Sequence, residues 1–373
     1  METGVETELR SPFNSNGGLT LVPLPGFEGI AFELKKLIEA MGERPSHKHP
    51  YTDVDISIPK FKLRESKETY VELDNRHICG HDCVIIGSGP GTDQMIMRLM
   101  WGIGYVTGRH AKRLSLVTGY FPQSRSDADE GKDVLALPPM ILTMARALAD
   151  ENGSGIHRWI CADPHSKQIT MATGGGKITP IYLTKSLLTF AYETAKKEDP
   201  ETPVVLAFPD DTAAKRYEAA MDLFEETYRM KLPFVKVDKR RKDSQHSEIV
   251  GIKGNTRKVR GSYVIMLDDE IATGGSVINM AERMKKRYGA KKVMACVTHG
   301  VLCGKAPELF TSQSTSTDRY VDHIIITDTI SINERHDLET LIQSGYLSVY
   351  SWLKDMAWII YRNHWDLLIR EIR

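Results

Sequence analysis

The sequence predicts an α/β protein with two similar domains, each built on a mainly parallel sheet flanked by helices. Short apolar runs rich in β-branched residues alternate with amphipathic stretches of about a dozen residues, which is typical of right-handed βαβ units. The alternation occurs in both halves of the 373-residue chain. Two domains of ordinary size are therefore favoured over one long sheet.

The predicted elements follow one another in a regular order. In the first half, strands are predicted at 19–25, 83–89, 114–121 and 157–165 and helices at 29–41 and 140–153. In the second half, strands are predicted at 203–211, 233–241, 262–270, 292–300 and 322–330 and helices at 184–197, 213–228 and 276–290. The short runs are typical of buried parallel strands, whereas the longer stretches carry the apolar periodicity of helices.

These elements divide the chain into four predicted segments. Residues 1–18 are polar and rich in Gly, Asn and Ser, so we expect a flexible arm. A first domain is expected over 19–180 and a second over 181–345, with the boundary near residue 180, after the glycine-rich loop at 171–180. Residues 346–373 carry three of the five tryptophans and predict an amphipathic helix, packed on the body of the protein or in a subunit interface.

The composition argues against several classes of protein. Lys+Arg and Asp+Glu both number 49, so no polybasic field indicates nucleic acid or membrane as a partner. The first residues lack the apolar core of a signal peptide, and the five cysteines are an odd number. We therefore expect a cytoplasmic protein with reduced thiols.

The strongest functional signal is the segment 264–280. An apolar strand leads into Asp268 and Asp269, and a loop of small residues follows before a helix begins; the loop is Ala272-Thr273-Gly274-Gly275-Ser276. Glycines allow the backbone to approach an anion, and loop N–H groups with the helix N-terminus favour a phosphate. The paired carboxylates can accept from ribose hydroxyls or hold Mg²⁺ through water. The alternative, a turn with an acidic N-cap, explains fewer of these features together.

This motif resembles the phosphoribosyl diphosphate-binding motif of the type I phosphoribosyltransferase fold. Four further segments, with the stretch that follows the motif, resemble elements of the ribose-phosphate diphosphokinase (phosphoribosyl diphosphate synthetase) family in the same order. These segments are 121–127, 163–169, 209–216 and 237–242, and the stretch after the motif is 289–304. The resemblance implies two phosphoribosyltransferase-type domains and the transfer of diphosphate from MgATP to ribose 5-phosphate.

The resemblance also implies roles for individual residues. Lys239 and Arg241, on a loop that closes over the site, are implied to stabilise charge during catalysis, together with His165. His165 and Asp210 are implied to hold the Mg²⁺ of MgATP. The implied nucleotide-binding residues are Arg125, Asp127, Glu68 and Arg64. The implied sugar-phosphate-binding residues are Asp268, Asp269, Ala272, Thr273, Gly274, Gly275 and Ser276. Family members of this kind assemble as dimers or hexamers, so a homo-oligomer is expected.

Three departures from the family pattern keep alternatives open. Residues 64–68 replace a Phe-containing segment that stacks on adenine, residues 211–213 are bulkier than usual, and Ala272 stands where many members have Asp. A larger acceptor such as ADP-ribose is therefore one alternative. A phosphoribosyltransferase and a catalytically inactive regulatory subunit are two others. A metal site among His77, Cys79, His81 and Cys83, and a nucleophile at His299 or Cys303, are both less favoured than structural roles.

Overall fold

The computed structural model describes residues 15–42, 49–72, 74, 77–89, 92–126, 136–150, 155–165, 169–170, 178–241, 247–333 and 335–369, with the backbone alone for 238–241 and 247–250. Two separate sheets account for most of the strands, and helices flank both. The predicted α/β class with mainly parallel sheets is confirmed. No helix in these ranges is long and apolar enough to cross a membrane.

The first sheet has six parallel strands in the order β2-β1-β5-β6-β7-β8, with a separate hairpin formed by β3 and β4. The strands are β1 (Leu19–Pro23), β2 (Val54–Ile56), β3 (Lys60–Leu63), β4 (Thr69–Glu72), β5 (Asp82–Gly87), β6 (Arg113–Thr118), β7 (Ile156–Ala162) and β8 (Ile178–Ile181). The helices are α1 (Glu28–Glu39), α2 (Asp93–Gly108) and α3 (Leu137–Asp150). Every residue of β5 and β6 is buried, because helices cover both faces of the sheet.

The second sheet has seven strands in the order β11-β10-β9-β12-β13-β14-β15, all parallel except the antiparallel pair β10–β11. The strands are β9 (Val204–Phe208), β10 (Phe234–Arg241), β11 (Ser247–Gly254), β12 (Tyr263–Ile271), β13 (Lys292–Gly300), β14 (His323–Thr327) and β15 (Leu347–Tyr350). The helices are α4 (Thr184–Glu198), α5 (Asp211–Arg216), α6 (Glu218–Tyr228), α7 (Gly275–Lys286), α8 (Ala306–Thr315), α9 (Glu339–Gln343) and α10 (Leu353–His364), with 3₁₀ turns at Thr256–Lys258 and His336–Leu338.

The two sheets share buried apolar contacts. One continuous cluster contains Ile160 of the first sheet, Leu187 of α4, Ile265 of the second sheet and Ile360 of α10. Helix α4, whose contacts are with α6, β12 and β13 of the second half, belongs to the same cluster. The proposed boundary near residue 180 falls in β8, the edge strand of the first sheet, and the division into domains stays a prediction.

Three predictions about segments need correction. The helix expected at 213–228 is two helices, α5 and α6, because the buried ring of Tyr217 packs on Phe208 at the junction, with ring centroids 5.9 Å apart. The C-terminal segment begins with strand β15, and its helix starts only at Leu353. Helix α10 packs on α1, on the body of the protein.

The third correction concerns the expected arm. Residues 1–14 lie outside the described ranges, but the end of the arm is packed rather than flexible. The side-chain amide of Asn16 donates to the carbonyl of His364 (2.8 Å) and to the carboxylate of Asp366 (2.9 Å). Gly17 has a φ of 75°, and a Cβ there would collide with the backbone of Gly80.

A buried polar network fastens the C-terminal segment to the first sheet. Asp82, fully buried, is bonded to Arg113 Nη2 (2.5 Å) and to His364 Nδ1 (2.9 Å). Arg113 also pairs with Asp366 (2.6 Å), and the amide of Asn363 donates to Ser115 (3.0 Å). All of these residues except Asp366 are buried. Because a buried polar group without a partner is costly, each of the buried members needs its contacts. The network therefore ties the end of the chain to the half in which the chain begins.

Replacing Asp82 with Ala should strongly destabilise the fold, because the buried guanidinium of Arg113 loses its closest partner. Removing one member of a buried ion pair typically costs about 3–5 kcal/mol, and Asp366 stays in place, so we expect a loss of about 3 kcal/mol in the free energy of unfolding from urea denaturation. Lys36→Met, which breaks the exposed pair with Glu33 (2.6 Å), should change little. Equal small losses in both variants would contradict a supporting role for the network.

Candidate functional site

A cleft of about 880 Å³ opens where strand β12 ends. Its walls come from both halves of the chain, since Arg125 and His165 precede α4, whereas Asp210 and the β12–α7 segment follow it. Residues of the predicted motif that line it are Asp268, Asp269, Ala272, Thr273, Gly274 and Ser276. The carboxyl ends of parallel strands are where open α/β sheets bind ligands. The structure therefore brings most of the predicted site residues to one place.

The loop between β12 and α7 has the geometry of an anion site. Gly274 has a φ of 80°, and a Cβ there would lie 2.7 Å from the ring of Phe310. Only glycine fits such a position without strain. Helix α7 begins at Gly275, and the first N–H groups of a helix have no partners within it. Thr273 and Ser276 are exposed at the cleft wall and add hydroxyl groups for a phosphate.

The adjacent carboxylates of the motif have different partners. Oδ2 of Asp269, a 7 % exposed residue, accepts from His165 Nδ1 (2.7 Å) and pairs with Arg216 Nη1 (2.8 Å). Burial alone would raise the pKa of Asp269, but the hydrogen bond from His165 and the charge of Arg216 outweigh it and hold the pKa below its usual range. Burial, together with the neighbouring charge of Asp269, raises the pKa of Asp268 instead. Asp269 is thus the carboxylate that ionises first.

Arg216 is a site residue to which the sequence reasoning assigned no role. Its side chain is 12 % exposed, and besides the pair with Asp269 it donates from Nη2 to the backbone carbonyl of His165 (2.8 Å). One guanidinium therefore contacts both the strand that carries the motif and the segment that carries His165. Its position could have identified it, because Arg216 is the last residue of the segment 209–216, which resembles the family.

Two further side chains at the cleft were also missed. Glu270 follows the two motif carboxylates, and it pairs with Arg125 Nε (3.1 Å) while accepting from the hydroxyl of Tyr120 (3.2 Å). Tyr120 is buried in a small apolar cluster with Val301, against which Ala272 packs. The alternation of side chains along a strand predicts that Glu270 lies on the same face as Asp268. It could not predict the contacts of Glu270 with Arg125 and Tyr120, which are 145 and 150 positions away in the sequence.

The residues predicted to hold a metal ion have other contacts as well. Asp210 caps α5, because its Oδ1 accepts from the backbone N–H of Ala213 (2.9 Å). Among the described residues, no group of three or more His, Cys, Asp or Glu side chains is arranged to hold a metal ion. This also applies to His81, which is bonded through Nδ1 to Thr20 (2.8 Å). All five cysteines are free thiols.

Two of the predicted nucleotide-binding residues do not line the cleft formed by their own chain. Arg64 and Glu68 lie in the turn of the β3–β4 hairpin, where the backbone N–H of Arg64 donates to the carbonyl of Glu68 (2.9 Å). The guanidinium of Arg64 lies over the ring of Tyr70, 4.8 Å from its centroid, and neither Arg64 nor Glu68 lines the cleft. Asp127 lies outside the described residues.

Lys239 and Arg241 belong to a strand rather than to a loop. They lie in β10 and pair through the backbone with Ile249 and Ser247 of β11, after a register shift at Asp238. Their side chains are outside the described part of the structure. Val237, two positions before Lys239, lines the cleft, so the backbone of this hairpin extends from the cleft wall.

Behind the cleft, two buried ionisable groups have structural contacts. The Asp163 carboxylate accepts from Thr298 Oγ1 (2.6 Å) and from the N–H of Leu183 (3.1 Å), and burial raises the pKa of Asp163 to about 6. His299 is bonded to the carbonyl of Asp163 (3.2 Å) and to Thr329 Oγ1 (2.9 Å), and burial lowers the pKa of His299 to about 4. The packing role predicted for His299 is confirmed.

Comparisons with known proteins agree on one family. Residues 184–335 match the family model of the phosphoribosyl transferase domain. The chain is 30% identical to the ribose-phosphate pyrophosphokinase of Thermotoga maritima over 262 residues, which are 69% of this chain and 74% of that protein. It is 29% identical to the ribose-phosphate pyrophosphokinase of Campylobacter jejuni over 286 residues, 76% of this chain and 83% of the relative.

A solved structure is similar over almost the whole chain. The crystal structure of phosphoribosylpyrophosphate synthetase from Mycobacterium smegmatis superposes with a TM-score of 0.69 at 20% identity. The match covers 93% of this chain and 98% of the other. The overall fold, with both halves, is therefore that of this known structure.

Replacing Gly274 with Ala should destabilise the loop, because the left-handed backbone costs a residue with a Cβ about 1–2 kcal/mol and the new methyl group collides with Phe310. We expect the free energy of unfolding to fall by about 2 kcal/mol or more. Gly275→Ala is the matched control, since a Cβ there meets nothing within 4 Å and Ala is favoured over Gly in a helix. A loss as large in the control would contradict the argument.

Acid should destabilise the protein through His299. An unfolded histidine takes up its proton near pH 6.5, whereas the buried one stays neutral down to about pH 4. Between these values the unfolded state binds more protons, so stability falls as the pH falls. His299→Gln removes this contribution, while the opposite contribution of Asp163 stays in both proteins. The difference in free energy of unfolding between wild type and variant should shrink by about 2–3 kcal/mol from pH 7.5 to 4.5. A difference that does not vary with pH would contradict this.

Proposed function

Because the chain belongs to the ribose-phosphate pyrophosphokinase family, we propose that it transfers the β,γ-diphosphate of ATP to the 1-hydroxyl of ribose 5-phosphate, giving phosphoribosyl diphosphate and AMP. The bond between the α-phosphate bridging oxygen and the β-phosphorus breaks, and the ribose oxygen forms the new bond to the β-phosphorus. AMP keeps the bridging oxygen, and the proton of the ribose hydroxyl is released.

The observation that carries the proposal is the contact of His165 with Asp269. In this contact a residue from the first half of the chain lies against the strand–loop–helix motif of the second half. A phosphoribosyltransferase needs only the domain matched at 184–335, whereas the similarity to the Thermotoga maritima protein runs over 262 residues. The transferase alternative leaves that wider similarity unexplained. ADP-ribose as acceptor and an inactive regulatory subunit are likewise not favoured.

The residues at the cleft fit Mg²⁺ as the proposed cofactor. The ionised Asp269 can only accept, so Nδ1 of His165 donates to it, as expected of a histidine whose other ring nitrogen binds a metal ion. Asp210 has a second carboxylate oxygen besides the one that caps α5. Mg²⁺ in phosphoryl-transfer sites is held by one or two protein groups, with phosphates and water completing the shell. Bound by His165 and Asp210, it would neutralise charge on the phosphates of ATP.

Around this centre, the chain's own residues would orient the substrates and stabilise charge. We propose that the N–H groups of 272–276 bind the 5-phosphate and that Asp268 and Asp269 accept from the ribose hydroxyls. Arg125 and Asp127 would bind the nucleotide. Lys239 and Arg241, on the hairpin that extends from the cleft wall, would approach the transferred diphosphate, where cationic groups lower the barrier.

The hairpin β3–β4 supports the proposal of a homo-oligomer, a dimer or a hexamer. Arg64 and Glu68 lie in its exposed turn, outside the cleft of their own chain. In an assembly these two residues would contact the nucleotide bound by a neighbouring subunit. The free thiols are compatible with the proposed cytoplasmic location.

The first test is AMP release from MgATP, with ribose 5-phosphate or ADP-ribose as acceptor. We expect AMP with ribose 5-phosphate, and a loss of about 10²–10³-fold or more in kcat for Lys239→Ala, because a cation is removed from the developing charge. Lys236→Ala is the matched control, since Lys236 lies on the same strand but pairs with Asp211 and should leave kcat nearly unchanged. No AMP with either acceptor would contradict the proposed function.

A further inference from the structure

We propose that Glu270 is a positioning residue, which holds the guanidinium of Arg125 where it meets the polyphosphate of the nucleotide. Through this contact, the strand that carries the sugar-phosphate motif would also fix a nucleotide-binding residue of the other half. The inference rests on the proposed function, because it concerns the nucleotide side of the same cleft.

Both carboxylate oxygens of Glu270 are occupied by residues from the first half of the chain. Oε1 pairs with Nε of Arg125 at 3.1 Å, and Oε2 accepts from the hydroxyl of Tyr120 at 3.2 Å. The side chain of Glu270 is only 9 % exposed. Such a carboxylate is held in one orientation by two donors, which is what an anchor for a third group requires.

Tyr120 is itself fixed in the fold. Its residue is 2 % exposed, and its backbone N–H donates to Ser88 Oγ (2.6 Å). Its ring stands edge-on to the ring of His299, with centroids 4.9 Å apart and an interplanar angle of 83°. The hydroxyl that holds Glu270 is therefore at the end of a rigid side chain.

Arg125 is the exposed partner of the three. Its side chain is 59 % exposed, and a long exposed side chain loses much rotamer freedom when it binds a ligand. Pairing through Nε occupies one of the five N–H donors of the guanidinium and leaves the fork of two terminal nitrogens for other acceptors. Arg125 lines the cleft. Because Glu270 would already restrict the side chain of Arg125, less conformational entropy would be lost when the nucleotide binds.

A competing reading makes the opposite prediction. If Glu270 only neutralised Arg125, or repelled phosphate by its charge, its removal would strengthen nucleotide binding. If Glu270 positions Arg125, its removal weakens nucleotide binding and leaves the ribose 5-phosphate site unchanged. The direction of the change in KM for MgATP therefore decides between the two.

The experiment measures kcat and the separate KM values for MgATP and for ribose 5-phosphate. The variants are Glu270→Ala, Glu270→Gln, Arg125→Ala and the double variant with Ala at positions 125 and 270. Glu270→Ala should raise KM for MgATP about 10-fold, the effect expected when a hydrogen bond to a charged group is lost. KM for ribose 5-phosphate should change less than about 2-fold. Glu270→Gln should recover part of the loss, because its amide oxygen still accepts from Arg125. In the Arg125→Ala background, Glu270→Ala should have no further effect.

Glu282→Gln is the matched control for charge. Glu282 also borders the cleft, but it pairs with Lys286 on its own helix, so KM for MgATP should stay unchanged. An unchanged or lowered KM for MgATP in Glu270→Ala, or equal losses in KM for both substrates, would overturn the inference. If wild type releases no AMP, the proposed function fails, and the dissociation constant of ATP from calorimetry still tests whether Glu270 supports Arg125.

Discussion

The cleft depends on one ionised carboxylate, that of Asp269, which is shared between His165 and Arg216. A buried carboxylate at this position is unfavourable unless it is paired, and both of its partners are within 2.8 Å. His165 comes from the end of a strand in the first sheet and Arg216 from a short helix of the second half. The carboxylate of Asp269 therefore links the two halves of the chain near the carboxyl ends of their strands.

The neighbouring contacts follow from this constraint. Arg216 also donates to the backbone of His165, so the histidine is fixed through its ring and through its main chain. The next residue of the strand, Glu270, pairs with Arg125 and accepts a hydrogen bond from Tyr120. Two consecutive residues of β12, Asp269 and Glu270, thus contact side chains of the first half. One strand therefore carries both carboxylates that contact the first half at the cleft.

Prediction from the residues was most successful where the signal is local. The strand–carboxylate–glycine loop–helix motif is continuous in sequence, and its left-handed Gly274 has a role that can be stated from the backbone alone. Arg216 and Glu270 were missed as site residues because their partners lie 51 to 150 positions away in the sequence. The periodicity of apolar residues carries no information about such distant contacts. The C-terminal segment was mistaken for one helix because the apolar residues of β15 also fit helical spacing.

By itself, the sequence determined the α/β class, the order of the strands and helices that it predicted, and the glycine loop after β12, because apolar periodicity and glycine conformation depend on neighbouring residues. Only the tertiary structure decided which carboxylate is ionised, which arginines face it and where the chain ends pack. These depend on burial and on contacts between residues far apart in the chain, since the charge state of a carboxylate is set by the groups around it in space.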